Sequence, residues 1–221
     1  MKFPSWVTDR VNARQGALHP YKTFKPEETA FVVIDLQNFF TQPGYMGECK
    51  AARATFPAVN RLADALRNAG GHVIWVQTCA DDADTFWVHF HQDLLKPELS
   101  QKRLEQLSAG HSGFELAADL NAADEDARVI KKYYSALAPD SSNLNDVLQE
   151  KGIKNVLIGG TTTNVCCEST GRNAMMLNYR TIMVHDALSA FSDHEHEFSL
   201  QAWVLYFGDV LGADDIIQRL S

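Results

Sequence analysis

Three residues in this chain are of types that can do chemistry together: an acid, Asp35; a cation, Lys131; and a thiol, Cys166. A thiol attacks as the thiolate, so it needs a base. A carboxylate can accept its proton, and an ammonium can hold both anions in place. Taken singly, each has a plain structural explanation. Most free cysteines are small buried hydrophobes, an aspartate after a strand can cap the following turn, and a lysine at a strand end is usually solvated. Position is what distinguishes them, because each follows an apolar run with the look of a buried strand.

Cys166 follows the run Asn155-Val156-Leu157-Ile158, across a turn built of two glycines, three threonines and an asparagine. Those residues suit a tight strand-to-helix connection. Residues 167–179 then place Ala174, Met175 and Leu177 at helical spacing, so Cys166 is expected at a helix N-terminus, where the dipole favours a thiolate. Residues 29–36 read as a buried strand ending at Asp35, with a loop over 37–44. Residues 127–130 read as a short strand, followed at once by Lys131.

Around these runs the chain alternates strand and helix. The spacing predicts helices over 56–69, 141–151, 194–207 and 214–220, further strands over 72–77, 180–185 and 208–211, and a short helix over 114–120. Residues 1–27 are polar and carry Pro4, Pro20 and Pro26, so they read as an irregular wrap. Residues 78–112 read as an insertion, a lid or an oligomer contact, with a helix-like piece over 97–107. The pattern predicts one domain over 1–221, a three-layer α/β/α sandwich with a mostly parallel, Rossmann-like sheet. In such sheets ligands sit beyond the carboxyl ends of the strands.

Composition sets the boundaries. The chain has 221 residues, 45% hydrophobic and 22% charged, with a net charge of −8. There is no basic run, which argues against nucleic acid and against anionic membrane surfaces as partners. No stretch has the apolar length of a membrane span, and the N-terminus has no apolar signal core. The four cysteines, Cys49, Cys79, Cys166 and Cys167, show no disulfide or zinc spacing. A cytoplasmic protein with free thiols is expected.

Three motifs carry a family resemblance: Val33-Ile34-Asp35-Leu36-Gln37-Asn38, Lys131 through Ala136, and Gly160 through Thr170. They resemble, in order and spacing, the strand-end acid, the Lys-x-x-Tyr-Ser-Ala segment and the Gly-x-x-Thr-Asn-Val-Cys-x-Glu-Ser-Thr turn of the isochorismatase-like cysteine hydrolases. The resemblance spans residues 28–212. It implies a six-stranded sheet and an Asp–Lys–Cys triad of Asp35, Lys131 and Cys166, the lysine register being fixed by Tyr134-Ser135-Ala136. It also implies a cis peptide at Thr161–Thr162 and an oxyanion hole from the N–H groups of Thr162 and Cys166. The chain departs from the family at Tyr133, often arginine, and at Leu137, often phenylalanine. Cys167, usually aliphatic there, reads as core packing.

Within that family, vinyl-ether-cleaving isochorismatases place no cysteine at the nucleophile position, so Cys166 argues for C–N bond hydrolysis. Nicotinamidases build a metal site from an Asp-x-His motif after the second strand. Here that segment reads Gln77-Thr78-Cys79-Ala80-Asp81-Asp82, without histidine. His89, His91, His194 and His196 read as surface polar groups. The expectation is therefore no metal and no cofactor. The resemblance is nearest to ureidoacrylate and N-carbamoyl-type amidohydrolases, which implies a small amide, ureido or N-carbamoyl substrate, a thioester intermediate and a homodimer or homotetramer. Phe39, Trp87 and Tyr134 are the candidate substrate-pocket walls. A vinyl ether hydrolase and a non-catalytic binding protein of the same fold are the alternatives.

Overall fold

A run such as Thr29–Ile34 (TAFVVI) is apolar from its second residue on, and all six of its residues are buried. A strand of that kind needs cover on both faces. The computed structural model describes residues 1–221 and supplies that cover. In chain order the elements are α1 (Ser5–Gln15), β1 (Thr29–Ile34), α2 (Asn38–Thr41), α3 (Phe56–Asn68), β2 (His72–Thr78), α4 (Ala83–Phe86) and α5 (Pro97–Gln106). They continue with β3 (Ala127–Lys131), α6 (Leu144–Glu150), β4 (Asn155–Thr161), α7 (Glu168–Met176), β5 (Arg180–Ser189), α8 (Asp193–Tyr206), β6 (Asp209–Leu211) and α9 (Ala213–Ile217).

The six strands form one all-parallel sheet in the order β3-β2-β1-β4-β5-β6. Side chains alternate between its faces, as the two-residue period of a strand requires. From β1, Ala30, Val32 and Ile34 enter one core with Val76, Ile158 and the α8 residues Leu200 and Trp203. Phe31 and Val33 enter the other with Val59, Leu62 and Leu66 of α3 and Ile216 of α9. Burying each of these large side chains is worth about 1.5–3 kcal/mol, which locks strand register to the two cores.

The chain leaves β1 toward β2 and β3 on one side, then returns to build β4, β5 and β6 on the other. Strand order therefore reverses between β1 and β4, and a crevice opens at their carboxyl ends. Gly160 permits the close approach of these two strands. Its φ is +116°, and a Cβ there would lie 1.9 Å from the Ile34 carbonyl oxygen. No helix is long and apolar enough to cross a membrane.

Several expectations change. The wrap over 1–27 is not irregular throughout: α1 buries Val7 and Val11, one helical turn apart, and Arg14 bonds to the Val204 and Leu205 carbonyls of α8. Residues 38–41 form one turn of helix rather than loop, which buries Phe39. Residues 114–120 form turns rather than a helix. Their backbone groups are engaged elsewhere, Ala117 N–H on Leu36 O at 3.0 Å and Glu115 O by Asn38 N–H at 2.8 Å. The 141–151 helix is confined to Leu144–Glu150: Ser142 is engaged outside it, its hydroxyl donating to Ala136 O at 2.6 Å and accepting the Leu144 N–H at 3.1 Å. Strand β5 runs on to Ser189, past His185, because its far half pairs with Gly160 and Thr161 beyond a register shift.

Candidate active site

Four strand ends meet at the crevice. Asp35 follows β1 with φ +57° and donates its N–H to Val76 O at 2.8 Å, which swings the chain off the sheet. Thr78 and Lys131 close β2 and β3 and stand opposite each other in register. Strand β4 ends at Thr161, and the Thr161–Thr162 peptide is cis. Cys166 then lies in the π-helical turn Thr163–Cys167, which leads directly into α7.

The side chains at these ends are dry. Lys131 Nζ is 3.0 Å from Asp35 Oδ2, and the two side chains are 1% and 0% exposed. The ammonium also donates to Thr78 Oγ1 at 2.6 Å and to Tyr133 O at 3.1 Å. Two of its three protons are thereby hydrogen-bonded. The Thr78 hydroxyl in turn donates a hydrogen bond to Asp35 Oδ1 at 2.8 Å. Oδ2 accepts no well-aligned hydrogen bond in the chain, so it is the carboxylate oxygen free to take a proton. Burial pushes the Lys131 ammonium down, but the Asp35 and Cys166 charges outweigh it and hold its pKa above the usual value.

Cys166 is 6% exposed. Burial pushes its thiol up to about 12, against the pull of Lys131 and with the Asp35 carboxylate adding to the rise. Burial and the neighbouring carboxylate thus act against the thiolate that a helix N-terminus favours. One ammonium faces two groups able to carry negative charge, so at rest Asp35 holds the charge and Cys166 the proton. The Thr162 N–H finds no acceptor within the chain.

Above the thiol lies a cavity of about 330 Å³. Phe39, Trp87 and Tyr134 line it, together with Thr162, Arg103 and Lys131. Trp87 stacks on Phe90 with ring centroids 4.3 Å apart and meets Tyr134 edge-on at 4.7 Å. Residues 78–112 thus supply one wall of the cavity through Trp87, Phe90 and Arg103. Burial first, and then Cys166, raises the Tyr134 phenol, which stays protonated.

Reasoning from sequence passed over three residues. Thr78, expected as the first residue of the 78–112 insertion, is instead the last residue of β2. Arg103 sits on α5, whose residues PELSQKRLEQ are mostly polar, and looked solvated. Its signal was faint: Ser100, Arg103 and Leu107 share helical spacing and are all buried. His91, read as a surface group, is 3% exposed, with Nδ1 2.8 Å from Ser100 Oγ and Nε2 3.1 Å from Arg103 Nη1. Packing of α5 over the cavity removes it from water. The other histidines are elsewhere, His89 on Asp93 and His196 on Thr163, while His194 is exposed.

The chain matches the isochorismatase domain over residues 29–215. It is 32% identical over 216 residues to the ureidoacrylate amidohydrolase RutB of Agrobacterium fabrum, covering 90% of this chain and 92% of that one. It is 30% identical to the enzyme of the same name from Rhizobium rhizogenes, covering 90% of this chain and 86% of that one. The crystal structure of a cysteine hydrolase from Pseudomonas syringae pv. phaseolicola superposes with a TM-score of 0.79 at 27% identity, covering 89% of this chain and 94% of that one. With the strand-end geometry and these similarities together, the chain belongs to the isochorismatase family of hydrolases.

Proposed function

We propose that the chain is a metal-independent cysteine amidohydrolase that cleaves the C–N bond of a small amide, ureido or N-carbamoyl compound. The observation that carries this reading is the buried Asp35–Lys131 pair beside the Cys166 thiol, at the base of a cavity sized for a small molecule. The similarity to ureidoacrylate amidohydrolases supports the ureido class.

The reaction runs in two halves. Asp35 Oδ2 takes the proton of Cys166, and the thiolate attacks the substrate carbonyl carbon. Negative charge moves to the carbonyl oxygen, where the N–H groups of Thr162 and Cys166 receive it. The tetrahedral adduct collapses, the C–N bond breaks, and the Asp35 carboxyl returns the proton to the departing nitrogen. A thioester remains on Cys166. Asp35 then takes a proton from water, whose oxygen attacks the thioester, and the Cys166 sulfur leaves and recovers that proton. Each step moves one proton between Asp35 and a partner, and the ammonium of Lys131 faces a single negative charge nearby throughout. That constancy keeps the electrostatic cost of thiolate formation low in a dry site.

The test is ammonia release from a panel of small amides, ureas and N-carbamoyl compounds, with the unmodified chain beside Cys166→Ser and Cys166→Ala. Release by the unmodified chain alone is expected, with a Cys166-linked acyl adduct trapped by acid quench and seen by intact mass. Release that survives in Cys166→Ala would refute the covalent route.

A further inference from the structure

Arg103 is 8% exposed and lines the same cavity as Cys166. A buried guanidinium is ordinarily paired, because leaving it unpaired is costly. Arg103 forms no ion pair, and its one hydrogen bond is donated to His91 Nε2 at 3.1 Å. Since a guanidinium only donates, Nε2 is the unprotonated nitrogen, and the Nδ1–H of His91 donates to Ser100 Oγ at 2.8 Å. Burial and the adjoining Arg103 charge push His91 down, which keeps it a neutral acceptor.

The rest of the surroundings hold the guanidinium without neutralising it. Its carbon lies 5.7 Å from the Trp87 ring centre and 5.4 Å from that of Phe90. Two aromatic faces and one imidazole fix its place, and its remaining N–H donors have no acceptor in the chain. No aspartate or glutamate lines the cavity. The other cation there, Lys131, is already balanced by Asp35. A chain of net charge −8 thus keeps a buried positive charge without a counter-charge, in its candidate active site.

We propose that Arg103 is a specificity residue that receives a carboxylate of the substrate, so that the compounds turned over are ureido or amide acids rather than neutral amides. The inference rests on the hydrolase reading for the word substrate, but the anion site stands on Arg103 alone. The acid end meets the planar fork of Arg103, and the carbonyl end lies toward Cys166. The fork matches a carboxylate in shape, which a lysine would not.

Titration calorimetry on the Cys166→Ala protein, with Arg103 intact or replaced by Met, tests this without turnover. The probes are 3-ureidopropanoate and the neutral N-propylurea, which share the ureido head and differ in charge at the tail. With Arg103 intact, the acid is expected to bind about ten- to hundred-fold more tightly than the urea. In Arg103→Met that preference should vanish while N-propylurea binds as before. Equal binding of the two probes with Arg103 intact, no binding of the acid, or a preference that survives Arg103→Met would each overturn the proposal. Should the Met variant not fold, Arg103→Lys keeps the charge and loses the fork. Its preference should fall severalfold, and an unchanged preference there would overturn the proposal as well. Ammonia release from the unmodified chain separates the two readings. Arg103-dependent binding with no release from any compound would sink the hydrolase reading and keep the anion site. Release without preference for acids would do the reverse.

Discussion

Replacing Lys131 with Met tests how dry the site is. The ion pair spans 3.0 Å between side chains that are 1% and 0% exposed, so water cannot screen whichever charge is left alone. Removing one partner of such a pair costs about 3–5 kcal/mol, nearly all of it the burial of an uncompensated charge. For a chain of 221 residues that corresponds to a fall in Tm of roughly 6–20 °C. Asp35→Asn should be costly for the mirror reason, since it strands the ammonium. Asparagine also accepts the positive φ of +57° at this position, so backbone strain does not confound the comparison. The double variant, Asp35→Asn with Lys131→Met, buries no net charge and is expected to be more stable than the sum of the single losses allows. Urea unfolding followed by circular dichroism measures all four proteins. Ammonia release should be lost in all three variants, including the stable double one. Single losses below about 1 kcal/mol that simply add would refute the reasoning, because they would mean the pair is hydrated and worth no more than a surface bridge.

Thr78 makes a narrower prediction, because its hydroxyl donates to Asp35 and accepts from Lys131. Thr78→Val leaves both without that partner and should cost about 1–3 kcal/mol in unfolding experiments and a large share of kcat. Thr78→Ser keeps the hydroxyl and should retain most of both. The Cys166 thiol, pushed up to about 12 from an ordinary 9.0, predicts slow alkylation by iodoacetamide near neutral pH, with a rate that climbs through the alkaline range. Between those two values the folded chain keeps a proton that the unfolded chain gives up, so this group makes stability fall as pH rises. Asp35→Asn removes an anion that raises the thiol and leaves Lys131, which lowers it. Alkylation near neutral pH should therefore speed up by about tenfold or more while turnover is lost. Peptide mass spectrometry of Cys166 across pH reads both, and slower alkylation in that variant would contradict the charge assignment.

The parts of the fold legible in the sequence are those whose own side chains decide burial. Strand β1 shows as an unbroken apolar run, and α3 as Val59, Leu62, Ala63 and Leu66 on one face. The parts that were not legible depend on partners. The extent of β5 is set by its pairing with Gly160 and Thr161, and residues 114–120 lose helix because Leu36 and Asn38 take their backbone groups. The same division runs through the site. Asp35, Lys131 and Cys166 stood out because an ionisable or nucleophilic residue directly after a buried strand or its turn has few places to go except the carboxyl edge of the sheet. Arg103 and His91 lie on segments whose composition is that of a solvated surface, and only the packing of α5 over the cavity buries them. Thr78 was silent because its role is a hydrogen-bond geometry, which no residue type announces.

Counting charge links these observations to the chemistry. Below the cavity floor, one ammonium faces Asp35 and Cys166, and the site tolerates one anion there. Moving a proton from sulfur to carboxylate leaves that count unchanged, so a thiol held at about 12 at rest need not be ionised before the substrate arrives. Above the floor, Arg103 adds a positive charge with no answer in the chain. A neutral amide would leave it buried and unpaired in the complex, whereas an acid would satisfy it and exclude water from the thiol at the same time. The benefit of binding an acid is thus largest when the cavity is filled and dry, which is the condition under which the proton shared by Asp35 and Cys166 is least held in place by solvent.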